Sequence, residues 1–421
     1  MTSTPELVWD DAALRRAIQL LGSQSPRVND PRSTAAALRL VWDILQRRGA
    51  PTEIFQVPGT MPLAVVPGGP ILVITHLDDP HPFAQDEESG PPTMSGDVVS
   101  APGITRKAGV LAALGAFLSG GAVLERATLV IETDRHEGSN SFATWLDATD
   151  RTFSAALCEV ADLPAPAPAL FLAAAGVVAV RITLQDEGSN VERLFGGVQP
   201  DLGHQLIDAL AALKSADAEV LVPGFYDGVI TPDQDGLAAL QTIAPDVGAW
   251  VTRGLPPSDD RLSATHLTLG SFLAPSIVVR DLRLDSAGPY LSRLASAIIE
   301  ARIMPGQDAT TIARSIADFI KGRVPTARVE TVLTRPAARG GGFDAASLGG
   351  IAPVIPVTPG NSPAGLLEAA GIPTLGFSTV WRDPAAVAEH ASLTSISQSS
   401  RLIEKLIERV SGQRNGDRSS R

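Results

Sequence analysis

Glu132-Thr-Asp-Arg-His-Glu-Gly-Ser-Asn-Ser-Phe142 is the stretch on which the reading of this chain turns. It follows Ala127-Thr-Leu-Val-Ile131, an apolar and β-branched run of the kind that forms a buried parallel strand. Charged and small polar residues crowd the exit of that strand, and in open α/β sheets sites gather beyond the carboxyl ends of strands. A second run, Ile71-Leu-Val-Ile-Thr75, leads into His76-Leu77-Asp78. An imidazole and a carboxylate thus leave a strand end at i, i+2 and face the same side. Such a pair can bind a metal ion through the histidine while the carboxylate orients the ring. It is also a common hydrogen-bonded structural pair, so its context has to decide.

Further segments follow in order. Pro102-Gly-Ile-Thr105-Arg-Lys107-Ala-Gly109 is a Gly-containing turn before an Ala- and Leu-rich run, and Cys158-Glu159 closes the apolar run Ala155-Ala-Leu157. Phe195-Gly-Gly197, Pro223-Gly-Phe-Tyr-Asp227, Arg302-Ile-Met-Pro-Gly-Gln307, Gly360-Asn361-Ser362-Pro363 and Glu389-His390 complete the series. Any one of these phrases is weak evidence. As an ordered set they resemble the zinc dipeptidase and aminoacylase family of metallopeptidases, which includes carnosinase and succinyl-diaminopimelate desuccinylase.

The resemblance covers most of the chain and implies an α/β fold, a mixed sheet sandwiched by helices. It implies a split catalytic-type domain over residues 1–175 and 337–421, with an inserted α+β lid and dimerisation domain over 176–336. A homodimer through the lid follows from it. It also places His76, Glu159 and His390 at metal-ligand positions, Asp78 beside them as the orienting carboxylate, and Arg302 as the binder of a substrate carboxylate. Asn361 and Ser362 would donate hydrogen bonds to the same ligand. Arg302 also reads as a surface ion pair, and Gly-Asn-Ser-Pro also reads as an ordinary turn.

Three departures from the family pattern limit the chemistry. Thr105 stands where the family has a metal-bridging aspartate, Arg135 where it has its general-base glutamate, and Val191 near the place of a histidine that reaches across the dimer. A neutral hydroxyl cannot offset the repulsion between two zinc ions, and arginine stays charged at any working pH. The fourth change runs the other way: His136 replaces a ligand glutamate with another zinc ligand. Only six of 421 residues are histidine, so chance seldom puts one there. A loop histidine bonded to backbone is the competing reading.

The expectation is therefore at most one zinc ion per chain, held by His76, His136, Glu159 and His390, with Asp78 and Arg135 as the catalytic-site residues. Asp134 or Glu137 could supply a base. The ligand would be a small peptide-like or N-acyl amino acid, and the reaction an amide hydrolysis or variant amide chemistry. The alternative is a catalytically inactive relative, without metal, that binds a small carboxylated ligand or a protein partner.

A net charge of -12 and a pI near 5.0 disfavour nucleic acid and anionic membrane as partners. Cys158 is the only cysteine, which excludes an intrachain disulfide and a cysteine-based zinc site. No run approaches the roughly 18 apolar residues of a spanning helix, and the first residues lack a signal-like pattern; the expected location is cytoplasmic. Helical spacing marks 12–21, 33–47, 107–119, 205–213, 310–320 and 395–410, and residues 411–421, without apolar anchors, are expected to be disordered.

Overall fold

The computed structural model describes residues 10–22, 31–78, 91–101, 103–119, 121–160, 168–188, 190–198, 201–242, 264–285, 289–358, 360, 362–378 and 390–418. The chain divides into two compact units. The first comprises Met1–Ala174, Pro232–Phe272 and Gly340–Arg421, and the second Ala175–Thr231 and Leu273–Arg339.

The first unit begins with two amphipathic helices, α1 (Asp11–Gly22) and α2 (Pro31–Gln46). Strands β1 (Glu53–Phe55), β2 (Leu63–Val66) and β3 (Ile71–His76) follow, then a hairpin of β4 (Thr93–Ser95) and β5 (Val98–Ser100). Helices α3 (Ile104–Leu118) and α4 (Gly121–Arg126) lead to β6 (Ala127–Glu132), and α5 (Asn140–Ala148) leads to β7 (Ala155–Glu159) and β8 (Leu170–Ala174). Helix α3 is sealed in the interior, with Val110 to Ala116 at 0% exposure wherever they are apolar.

The second unit holds β9 (Gly176–Gln185), β10 (Ser276–Asp285), β11 (Leu294–Ile303) and β12 (Arg328–Arg335) in the order β10-β11-β9-β12, antiparallel throughout. Alternate residues Val178, Val180, Ile182 and Leu184 of β9 pack with Ala295, Ala297, Ile299 and Ala301 of β11 under Leu206 and Ala209 of the helix Leu202–Ala211 and Ile312, Ile316 and Ile320 of the helix Ala309–Arg323. One face of the sheet is therefore helix-covered.

The chain then returns to the first unit with β13 (Val354–Thr358), β14 (Thr374–Phe377) and β15 (His390–Ser392). Its main sheet runs β1-β2-β6-β3-β7-β14-β8-β13. The centre, β6-β3-β7-β14, is parallel; β2 runs against both β1 and β6, and β8 runs against β14 while pairing parallel with β13, which makes the sheet mixed. One face carries Ile71, Val73, Leu129, Ile131 and Leu157 against α1, α2, α3 and the helix Leu393–Arg418. The other carries Leu72, Ile74, Val130, Ala156 and Cys158 against Phe142 and Trp145 of α5 and Leu367. The α/β class with a mixed, helix-sandwiched sheet is the one expected from the sequence.

Two segments differ from expectation. Pro232–Phe272 groups with the first unit, not with one continuous insertion over 176–336, because the helix Gln234–Thr242 packs on β13 with Gly236 beside Pro356. Residues 411–418, expected without structure, continue the last helix to Arg418. Extending an existing helix adds a hydrogen bond for each residue fixed and escapes the cost of nucleation, so apolar anchors are not required. No helix among the described residues is long and apolar enough to cross a membrane.

Candidate metal centre

Four adjacent parallel strands end together, β6 at Glu132, β3 at His76, β7 at Glu159 and β14 at Phe377. Strand spacing of roughly 4.8 Å sets the distances between them before any side chain is considered. At the end of β3 and just past it, His76 and Asp78 are 2% and 1% exposed, and His76 Nδ1 lies 3.1 Å from Asp78 Oδ1.

The loop after β6 turns back over this pair. Gly138 has φ 111 and Ser139 φ 55, a left-handed pair that lets the 3-10 turn Arg135–Glu137 double back into α5. Asp134 fastens the turn: its Oδ2 accepts from the Ser141 N–H at 2.9 Å and hydroxyl at 2.8 Å, and its carbonyl accepts from Ser139 N–H at 2.9 Å. His136 is thereby carried to Asp78, with its N–H donating to Oδ2 at 2.9 Å and its Nδ1 2.6 Å from the same oxygen. The two imidazole centroids are 5.5 Å apart at 61°. His76, Asp78 and His136 each offer one ligand atom, all within 4.8 Å of one another, and are the one such group among the described residues.

Burial pushes the Asp78 carboxyl up, but hydrogen bonds from His136 and His76 outweigh it and hold it well below the ordinary carboxylate range. Burial, and then the Arg135 charge, push His76 down to about 3 in spite of Asp78. His76 is a neutral imidazole, the form that ligates metal. Burial, and then Glu132, raise Asp134 to about 6 against the two bonds from Ser141. Burial pushes the Cys158 thiol up to about 12, which fits a packed thiol.

Arg135 does not face the opening of the site. Its side chain is 0% exposed and turns under β3, with Nε donating to Glu132 Oε1 at 2.5 Å and Nη1 to the Glu159 carbonyl at 2.7 Å. Burial works against its charge, but Glu132 and Glu159 outweigh that, so the guanidinium stays protonated. It straps the ends of β6 and β7 together across β3. The role of Glu132 as its partner was not read from the sequence; the i, i+3 spacing of opposite charges was the available signal.

The other expected site residues lie outside the three-residue group. Glu159 is 3% exposed, accepts from His76 N–H at 3.4 Å, and lies so close to α3 that a Cβ on Gly109 would come within 1.5 Å of its Oε1. His390 is half-buried on β15, paired with Ser100 of β5. Ser362 is 1% exposed and its Oγ accepts from Ala364 N–H at 3.2 Å, starting the helix Ala364–Ala369. Arg302 belongs to the second unit, where its Nη2 donates to the Ala274 carbonyl at 2.7 Å and burial lowers its pKa. Asn361 and the side chains of Thr105 and Glu137 lie outside the described residues.

The charge balance tests whether a metal fits. Asp78, Glu132, Asp134 and Glu159 are all buried at these strand ends, against the buried cations Arg135 and, early in α3, Lys107. Among the described residues the buried carboxylates, by formal charge, exceed the buried cations by two, and burying uncompensated charge is costly. One divalent ion at the His–Asp–His group closes that deficit.

Arg135→Ala leaves Glu132 buried and unpaired and is expected to cost about 3–5 kcal/mol, with most of it recovered in Arg135→Met with Glu132→Gln; thermal and denaturant unfolding of both variants checks this. In metal-free protein, His76 titrates near 3 in the fold and near 6.5 unfolded. The unfolded chain then binds the extra proton between those values, so stability falls as pH drops below 6.5, and the depressed Asp78 adds further loss below its ordinary 3.8. Asp134, raised to about 6, takes up its proton in the fold first and offsets this loss between about 6 and its ordinary 3.8, so the fall is read in Asp134→Asn, where denaturation midpoints taken stepwise from neutral pH to about pH 4 should decline and a flat profile would contradict the assignment.

No protein-family model matches the sequence, and no curated protein matches it significantly. Solved structures do share its fold. An M20 family metallo-carboxypeptidase from Sulfolobus solfataricus is 15% identical with a TM-score of 0.80, covering 95% of this chain and 99% of its own. Human carnosine dipeptidase 1 is 14% identical with a TM-score of 0.72, covering 95% and 97%. A di-peptidase from Saccharomyces cerevisiae is 12% identical with a TM-score of 0.74, covering 95% and 96%. At such identities the likeness is one of fold, and the fold of this chain is that of the M20 metallo-carboxypeptidases and dipeptidases.

Proposed function

We propose that the protein holds one divalent metal ion, zinc, at the His76–Asp78–His136 group and uses it on an amide of a small peptide-like or N-acyl amino acid ligand. The observation that carries this reading is the gathering of His76 and His136 around the Asp78 carboxylate, with candidate ligand atoms within 4.8 Å of one another, over strand ends where, among the described residues, buried carboxylates outnumber buried cations. A bound zinc ion supplies Lewis-acid polarisation of a carbonyl. Glu159 and His390 are proposed as further ligands, and Asn361 and Ser362 as ligand-binding residues.

The proton chemistry differs from that of a peptidase with glutamate at position 135. Arg135 is buried and charged, so it neither takes a proton nor meets a ligand. Asp134 is the base this reading assigns: its Oδ1 has no hydrogen-bond partner, and its carboxyl, raised to about 6, lies near working pH. One observation favours the second reading, a metal-free relative that binds a small carboxylated ligand or a protein partner. The fixed charge of Arg135 lies beside Glu159 and opposes a cation there.

The proposal includes a homodimer through the second unit, in the cytoplasm. Edge strand β10 carries Val278, Val279, Leu282 and Leu284 at 46–51% exposure, where edge strands usually carry charge. A second copy would cover them.

Elemental analysis of protein purified without chelator is expected to find close to one zinc per chain, lost in His136→Ala; no metal in either sample would favour the second reading. Sedimentation is expected to show a dimer that Leu282→Asp converts to monomer, and a monomeric wild type would remove the dimer from the proposal.

A further inference from the structure

Three hydrogen-bonding contacts converge on the Asp78 carboxylate from the two histidines. Oδ1 faces His76 Nδ1 at 3.1 Å, and Oδ2 faces both the backbone N–H and the Nδ1 of His136, at 2.9 and 2.6 Å. An ionised carboxylate only accepts, so each Nδ1 that faces it must carry the hydrogen. We infer that Asp78 is a positioning residue shared by both histidines, which locks His76 and His136 as Nδ1–H tautomers and leaves their two Nε2 atoms as the donors of the site.

This deepens the single-metal reading and rests on it only for what the Nε2 atoms bind. A metal taking Oδ2 of Asp78 would displace both bonds from His136, and one taking Oδ1 would crowd the single bond from His76, whose ring is 2% exposed; a buried donor left unsatisfied carries the full cost of its desolvation. Asp78 therefore stays outside the coordination sphere, and a carboxylate behind an imidazole fixes its ring and strengthens its basicity. One carboxylate does this for two ligands here, coupling them: whatever moves Asp78 misaligns both rings. A set led by two imidazole nitrogens favours zinc, cobalt or nickel over magnesium or calcium.

The test begins on metal-free, 15N-labelled full chain, where long-range 1H–15N spectra read the tautomer of each histidine. Both His76 and His136 are expected as Nδ1–H; either one as Nε2–H overturns the inference. Asp78→Asn is the decisive variant, because an amide offers one acceptor and one donor. One of the two histidines is then expected to switch to Nε2–H, and zinc affinity, measured by chelator competition, to fall about 10–100-fold without an oxygen being lost from the zinc X-ray absorption spectrum. Unchanged tautomers and affinity, or loss of an oxygen ligand, would overturn it. Should the variant not fold, the wild-type spectra and the wild-type zinc ligand count decide alone. Wild-type protein with both Nδ1–H tautomers and no zinc binding would sink the metal reading while upholding the tautomer lock.

Discussion

A guanidinium with no exposed atom has to be held from inside the protein, and Arg135 donates to Glu132 on one side of β3 and to the carbonyl of Glu159 on the other. That constraint fixes where the loop after β6 can go. Once Arg135 is turned under the strand ends, the next residue must emerge above them, and His136 meets Asp78. Buried ion pairs contribute little net stability over an apolar equivalent, because desolvation consumes the Coulombic gain. What this one supplies is geometry. It ties β6 and β7 at their ends and leaves a neutral histidine, His76, between a buried cation and a buried anion.

The loop shows how the remaining costs are distributed. Ser139 is held at φ 55, a backbone region that costs a non-glycine residue about 1 kcal/mol or more, and its hydroxyl is buried without a hydrogen-bond partner. Asp134 compensates by accepting twice from Ser141 at the start of α5. Strain of this kind persists only where the surroundings over-determine it, and here the surroundings are two packed faces of one sheet.

Much of the fold was legible because periodicity and burial are local properties. The runs Ile71–Thr75, Ala127–Ile131 and Ala155–Leu157 are buried at every position and almost wholly apolar because both faces of the parallel centre are covered. His76 and Asp78 were legible as a pair because their spacing forces them to one side. Other features depend on partners that local sequence does not name. The direction of Arg135 is set by Glu132 and by a carbonyl on a different strand. Glu159 leaves the plane of His136 because the odd positions of β7 face α3, where Gly109 leaves room for it. The placement of Gln234–Thr242 with the first unit follows from its contact with β13, over a hundred residues later in the sequence.

The strand order has a consequence for how the molecule is made. β7 is synthesised early but takes its parallel neighbour, β14, from residues Thr374–Phe377, after the whole second unit has emerged. The second unit can therefore close as an independent sheet while the first still exposes one flank of β7 to solvent. Long-range parallel pairing is slow, and an open apolar strand is prone to wrong partners while it waits. Glu159, at the end of that strand, acquires its neighbour Phe377 only after the second unit has been made, so the row of strand ends beneath the candidate metal centre is completed late.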